Sequence, residues 1–518
     1  MRAARLLLVP FLLLTWSLPA EAQDLDLEWL PAYIEDGMAD WDIPGMAVAV
    51  VKDDEIIFAE GFGVRRLDEA GAVDAHTLFG VASTTKAMTA GALALLVDEG
   101  RLDWDERVVD HMPAFTLSDP WVTRHVTVRD LLTHRVGVGR MTGNRLRFLP
   151  DQERSTVIQQ MRYHEFEQPF RQGYVYSNVM YTVAGELVPA VTDTTWDDFL
   201  RHRFFDVLGM ERSNTSITQF AEDDTNLAWP HQEIEGEVQP IPRRNFDNVG
   251  PSASVNTSVT EMAQWMRLHL GEPGVYDGTR LISRAQMREM HSAQNTLGVQ
   301  DPYEEMAAYG LGWSLAEHRN HRILRHGGAT DGMNTNLVLL PAENAGVIVM
   351  TNTFNRFMTA VANEVLDALL DQRGATDWHG QIRSGYEQQY SRAMERREAI
   401  EAQRQEDTRP TLDLTEYTGT YHDDLYRNAE VYTTDDGGLA LRFWDNAEMT
   451  LDLDHWHYDT FRASWHNPAM REKFVWFDMD DSGEVAALNV RWTLRPVLLQ
   501  VGIYPTNYYS EVRFKRAE

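Results

Sequence analysis

The chain has 518 residues, 43% of them hydrophobic, with 79 acidic against 47 basic side chains and a formal net charge of −32. That length supports a large core and more than one domain. So acidic a surface repels phosphates, which argues against nucleic acid and anionic lipid as partners and reads as a solubility device. The chain has no cysteine, which excludes disulfides, thiol catalysis and Cys-ligated zinc.

Arg2 and Arg5 precede an apolar run over residues 6–18, and Ala20-Glu21-Ala22 supplies a small-x-small cleavage site. Residues 1–22 therefore read as a signal peptide, cut before Gln23, and the protein is expected to be exported, periplasmic or secreted. The run is short for a bilayer span, no Cys follows it to carry a lipid, and no later stretch spans without charges. No stable membrane insertion is expected.

Leu27, Leu30, Ile34, Met38 and Trp41 recur at helical steps, with Pro31 in the first turn. Residues 45–51 and 55–59 are two apolar runs around Lys52-Asp53-Asp54, the pattern of a hairpin with largely buried strands. Residues 87–100 read as one Ala- and Leu-rich helix ending at Gly100. Helical signals then run from Val126 to about Gly236, with a helix over 181–188 preceded by Tyr174-Val175-Tyr176-Ser177-Asn178. Strand patterns return at 312–315, 322–326, 336–340 and 346–350, and a helix over 356–370 closes the unit. This order suggests an α+β domain: an antiparallel sheet with strands from both chain ends, flanked by helices, and an inserted helical lobe. Residues 376–408 are charge-dense and read as an exposed helical linker. Residues 409–518 shift to short alternating runs rich in Tyr, Trp and Thr, which fits a small all-β barrel or sandwich.

Three motifs stand out. Ser83-Thr84-Thr85-Lys86 opens a helix, so Ser83 and Lys86 share one face. A hydroxyl is a weak nucleophile, and a lysine whose pKa is lowered by burial can take its proton. Tyr176-Ser177-Asn178 lies on a loop, and His326-Gly327-Gly328 ends a strand. Singly these are ordinary: Ser83 a helix cap, Tyr176 a core aromatic, Asn178 a turn residue, His326 a surface histidine. Jointly, in this order, they are not.

With Ile43-Pro44-Gly45, Leu131-Leu132-Thr133-His134, Tyr309-Gly310-Leu311-Gly312-Trp313 and Thr351-Asn352, the three motifs make residues 23–375 resemble the serine β-lactamase and penicillin-binding-protein hydrolases. Within them it is similar to the branch of class C β-lactamases, DD-peptidases, D-aminopeptidases and related esterases. The resemblance implies that Ser83 forms an acyl-enzyme, with Lys86 and Tyr176 sharing the proton transfer. It implies that Asn178 holds Lys86 and the substrate amide, and that the backbone N–H groups of Ser83 and Ala329 form the oxyanion hole. Gly327 and Gly328 would let the strand edge approach substrate, with His326 beside it. β-Lactamases of this type carry Lys-Thr-Gly where this chain has His326-Gly327-Gly328. The missing charge disfavours β-lactam turnover and points to small peptides, of the D-amino-acid or aminopeptidase kind, or to carboxylic esters. A cell-wall DD-peptidase, a weak β-lactamase and a non-catalytic binding protein are the alternatives. No cofactor is called for. His455-Trp456-His457 could place two metal ligands on one strand face, but a third is missing and an ordinary strand is the expectation. Residues 414–421 with 455–461 resemble the lipocalin-like domain attached to some of these hydrolases, whose implied role is to cover the site's mouth, limit substrate size or build a homo-oligomer.

Overall fold

The structure, a computed structural model, describes residues 25–139, 145–149, 153–234, 236–297, 307–467, 470, 473–493 and 509–517. The segment expected to be a signal peptide lies outside the described residues. Helix α1 (Leu30–Asp40) has its proline in the first turn and buries Leu30, Ile34 and Met38. Strands β1 (Gly45–Lys52) and β2 (Glu55–Gly63) form the expected hairpin. The short β3 (Phe79–Gly80) pairs with β4 (Asn256–Thr257) outside the main sheet. The remaining sheet strands are β5 (Asn295–Thr296), β6 (Ala308–Tyr309), β7 (Ser314–His318), β8 (His321–Thr330), β9 (Met333–Leu340) and β10 (Ala345–Thr351).

These build an eight-stranded antiparallel sheet in the order β2-β1-β10-β9-β8-β7-β6-β5, so the first hairpin joins the last strand of the domain. One face, with Met46, Val48, Val347 and Val349, packs on α1 and α6 (Phe357–Leu369). The other, with Ala47, Ala49, Ile348 and Met350, faces α2 (Thr85–Asp98) and the helical lobe. Covered on both faces, β1 reads as an unbroken apolar run. Every residue of α2 from 85 to 96 is buried, as expected of a helix with apolar residues on every face. In the lobe, α3 (Val128–Leu132) and α4 (Asn178–Val191) pack against each other, and α5 (Val259–His269) lies against β1.

The linker is α7 (Trp378–Glu401), which buries none of its residues. Trp378 Nε1 ties its start to Asp367 at 2.8 Å, and Arg404, just past its end, donates to the Trp456 carbonyl at 3.0 Å. The C-terminal unit is a closed antiparallel barrel of eight strands: β11 (Gly419–Asp423), β12 (Arg427–Thr433), β13 (Leu439–Phe443), β14 (Thr450–His457), β15 (Thr460–Trp465), β16 (Lys473–Met479), β17 (Val485–Thr493) and β18 (Tyr509–Arg516). It meets the lobe where the buried Arg145 guanidinium donates to the Tyr426 hydroxyl at 3.4 Å.

Two sequence expectations need correction. The helix placed at 181–188 starts at Asn178, so Asn178 belongs to its first turn and not to a loop. His326-Gly327-Gly328 does not end a strand: β8 continues to Thr330, paired with β9 down to the couple Thr330–Met333. Two glycines suggest a turn, but here they lie in extended backbone.

Candidate active site

Ser83 sits in a 3₁₀ turn (Ala82–Thr84) that leads directly into α2. Ala82, immediately before it, has φ +47°, a left-handed conformation that costs a non-glycine residue of order 1–3 kcal/mol and persists only where the surroundings enforce it. Ser83 does not cap the helix; its Oγ is used elsewhere. Lys86 Nζ lies 3.0 Å from it and donates a second bond to the Ser252 carbonyl at 2.8 Å. Lys86 is fully buried, with its ammonium 4.9 Å from the Tyr176 ring centre and 5.4 Å from that of Tyr181. These π faces attract a cation where water is excluded.

Tyr176 reaches the same oxygen from the lobe, its hydroxyl 2.9 Å from Ser83 Oγ. The Tyr176 ring lies 4.3 Å, centre to centre, from the imidazole of His134. His134 is buried, has φ +57°, and accepts the Ser177 N–H at Nδ1 over 3.1 Å. This imidazole thus braces both the ring of Tyr176 and the backbone beside it. Asn178 opens α4. Two proton-bearing groups therefore converge on one hydroxyl, one from α2 and one from the lobe, and a pair this close titrates as a unit.

The third side is β8. Its pairing with β7 stops at the couple Ser314–Arg325, so beyond Arg325 the β7 side of the strand carries no β7 ladder. His326 is buried, and burial, helped by the Lys86 charge, pushes its pKa down to about 3. It is neutral at working pH. Its Nδ1 lies 2.8 Å from the Gly327 carbonyl and its Nε2 3.0 Å from the Tyr309 hydroxyl. A carbonyl only accepts, so Nδ1 carries the proton and the Tyr309 hydroxyl donates to Nε2. His326 is therefore no substitute for a lysine charge. Gly328 is needed for the serine turn: a Cβ there would stand 2.0 Å from the Val81 carbonyl oxygen. A Cβ on Gly327 would meet only the Thr335 carbonyl at 3.6 Å. Ala329 follows on the same strand, paired with Asn334.

The structure thus brings Ser83, Lys86, Tyr176 and the 326–329 strand together. Sequence reasoning missed Tyr309, Tyr181, His134 and the Ser252 carbonyl. His134 and Tyr309 lay inside quoted signatures, whereas nothing in a sequence marks a backbone carbonyl. In the barrel, His455 Nε2 bonds the Tyr458 carbonyl and His457 Nδ1 accepts the Gln405 N–H. A register shift between the two breaks the shared face that a metal pair needs.

The sequence profile of the Beta-lactamase family matches residues 30–372, and that of a domain of unknown function (DUF3471) matches residues 403–503. Unguisins hydrolase of Aspergillus campestris is 29% identical over 84% of this chain and 81% of its own length. Penicillin-binding protein 4 of Amycolatopsis lactamdurans is 28% identical over 64% of this chain and 87% of its own. Among solved structures, the octameric penicillin-binding protein homologue of Pyrococcus abyssi aligns with a TM-score of 0.61 at 19% identity, over 95% of this chain and all of that one. The D-amino acid amidase of Ochrobactrum anthropi, complexed with D-phenylalanine, aligns with a TM-score of 0.56 at 19% identity, over 66% of this chain and 98% of that one.

Proposed function

This chain belongs to the beta-lactamase family and is a serine hydrolase, and on that premise we propose that Ser83 attacks an amide carbonyl of a short peptide to give an acyl-enzyme that water resolves. The observation carrying this reading is the double approach to Ser83 Oγ, by Tyr176 at 2.9 Å and Lys86 at 3.0 Å. In its deprotonated form either group can take the serine proton and return it to the leaving amine. The N–H groups of Ser83 and Ala329 would stabilise the oxyanion, and Asn178 would orient the substrate amide.

The neutral, fully bonded His326 argues for substrates that need no cation at that position, which favours amides, short peptides with D-residues and esters over β-lactams. Relatives that hydrolyse unguisins, and a fold neighbour that is a D-amino acid amidase, agree with that class. In this reading the protein acts after export, and its barrel domain flanks the site or joins copies of the chain, as an octameric fold neighbour suggests.

The decisive experiment is an intact-mass spectrum after incubation with a fluorophosphonate. One adduct on the wild type and none on Ser83→Ala, with unchanged thermal unfolding, is the expected result. Labelling or turnover in Ser83→Ala above about a tenth of wild type would move the nucleophile elsewhere. Faster turnover of a chromogenic cephalosporin than of D-aminoacyl amides would favour the β-lactamase alternative.

A further inference from the structure

A cleft adjoins the Ser83 centre. Three segments of the centre run straight into its walls: Gly80 lies three residues before Ser83, Ala253 and Ser254 follow the carbonyl that binds Lys86, and Thr330 and Asp331 follow Ala329. The space inside, open solvent at its mouth included, is about 520 Å³. Phe220 and Phe246 supply apolar wall, and Arg243 and Arg244 also line it.

The guanidinium of Arg243 is the unusual group. Both of its hydrogen bonds go to the Ala228 carbonyl, at 2.8 and 3.3 Å, and its carbon lies 4.3 Å from the centre of the Trp229 ring. Among the described residues no carboxylate lies within ion-pair distance of it. Arg66 also stacks on Trp229, at 4.4 Å, but Arg66 is neutralised by Asp68. Burial, with a smaller push from Arg66, lowers the Arg243 pKa to about 10, although Glu69 and Asp224 act the other way. Next to it, Arg244 and Arg147 share one carboxylate, Asp331, at 2.8 and 3.4 Å. The other acid of the lining, Asp247, is engaged by Ser216 at 2.8 Å and Asn245 at 3.1 Å. Of the two guanidiniums in the lining, Arg244 is held by Asp331, and among the described residues Arg243 has no carboxylate within ion-pair distance.

We propose that this cleft binds the acyl residue of the substrate and selects an acidic side chain, whose carboxylate docks on Arg243 beside Arg244. The planar fork of a guanidinium matches a carboxylate in two parallel hydrogen bonds. Anion recognition has in effect moved from the His326 position, where it is absent, to the far end of β8. The word acyl rests on the reading of Ser83 as nucleophile; the carboxylate preference does not.

The test uses the full chain with Ser83→Ala, so that binding is read without turnover. The probes are the α-anilides of N-acetylglutamate and N-acetylglutamine, in both hands, followed by calorimetry. The glutamate compound of at least one hand should bind about tenfold or more tightly than its glutamine partner. Adding Arg243→Met should abolish that preference, and higher ionic strength should shrink it. Equal affinities for both compounds in both hands, or a preference that survives Arg243→Met, would overturn the proposal. If Arg243→Met does not fold, the Glu-to-Gln comparison in the parent still decides. Absence of any fluorophosphonate adduct on the wild type would sink the hydrolase reading separately, leaving the anion site to stand or fall on binding.

Discussion

Along β14 of the barrel the charged residues face out and the apolar ones in: Leu451 and Leu453 are buried, Asp452 and Asp454 exposed. Around Ser83 the polarity is inverted. Lys86, His134 and His326 are all buried, and the aromatic rings of Tyr176, Tyr181 and Tyr309 stack among them. The barrel follows the period of its strands, so a substitution there is felt as lost packing. The hydrolase centre holds desolvated polar groups in fixed pairs, so a substitution there changes proton positions and charge, with effects on rate that exceed those on stability. Where the barrel departs from its own rule, at the buried Lys473, burial pushes that amine down to about 7 beside Arg145 of the lobe.

The sharpest way to break this contrast is Lys86→Met. It keeps the volume of the side chain and removes the amine bonded to Ser83. The rate of fluorophosphonate labelling should fall by at least about 10³-fold while the melting temperature holds or rises, because a buried charge is gone. A variant that labelled normally would show that Tyr176 alone activates the serine.

Gly328→Ala should come next. The new methyl meets backbone, the Val81 carbonyl, at 2.0 Å, so the turn carrying Ser83 must shift. Labelling should drop by about 10²-fold, since an ångström of misplacement is that costly, and the melting temperature should fall. Gly327→Ala, with its nearest neighbour at 3.6 Å, should melt like the wild type. If both alanines behaved alike, the close approach of β8 to the serine turn would be irrelevant to the site.

Tyr176→Phe separates proton transfer from binding. It deletes the 2.9 Å contact to Ser83 but keeps the ring over which Lys86 sits and against which His134 packs. A loss of about 10- to 10²-fold in kcat, with KM within about threefold, is expected. A change confined to KM would assign the hydroxyl to substrate binding instead.

What could be read beforehand follows the range of the interactions. Ser83 and Lys86 are one helical turn apart, and the β1–β2 hairpin and the Ala- and Leu-rich α2 announce themselves in continuous segments. The bond from Tyr309 to His326 could not be read, because it depends on how β6, β7 and β8 stack side by side. Nor could the left-handed Ala82, since alanine carries no sign of positive φ. The extension of β8 through Gly327 and Gly328 was hidden because glycines read as turns unless the backbone they must approach is known. In β18 the alternation is real, with Val512 buried and Phe514 buried between exposed Glu511, Arg513 and partners, but two apolar residues make too faint a pattern to mark a strand.

The smallest expected effect concerns pH, and it sets buried histidines against exposed ones. Burial pushes His291 and His326 down to about 3 and His164 to about 4, all in the hydrolase domain. In the unfolded chain these rings titrate near 6.5. The folded state then binds fewer protons than the unfolded one between about pH 6.5 and pH 3–4, so their contribution is complete above 6.5 and is lost as pH falls through that window, at no more than about 1.4 kcal/mol per unit and group. Glu167, Glu186 and the buried Glu364, whose carboxyls desolvation pushes up, act in the opposite sense, so variants must isolate the histidines. Calorimetry of His291→Gln should show a shallower loss of melting temperature between pH 7 and pH 5. The double variant His422→Gln with His466→Gln, at exposed positions of the barrel, should leave that slope unchanged. If the barrel variant flattened the slope instead, acid sensitivity would reside in the domain that obeys the strand rule, and the contrast between the two halves would fail as an account of stability.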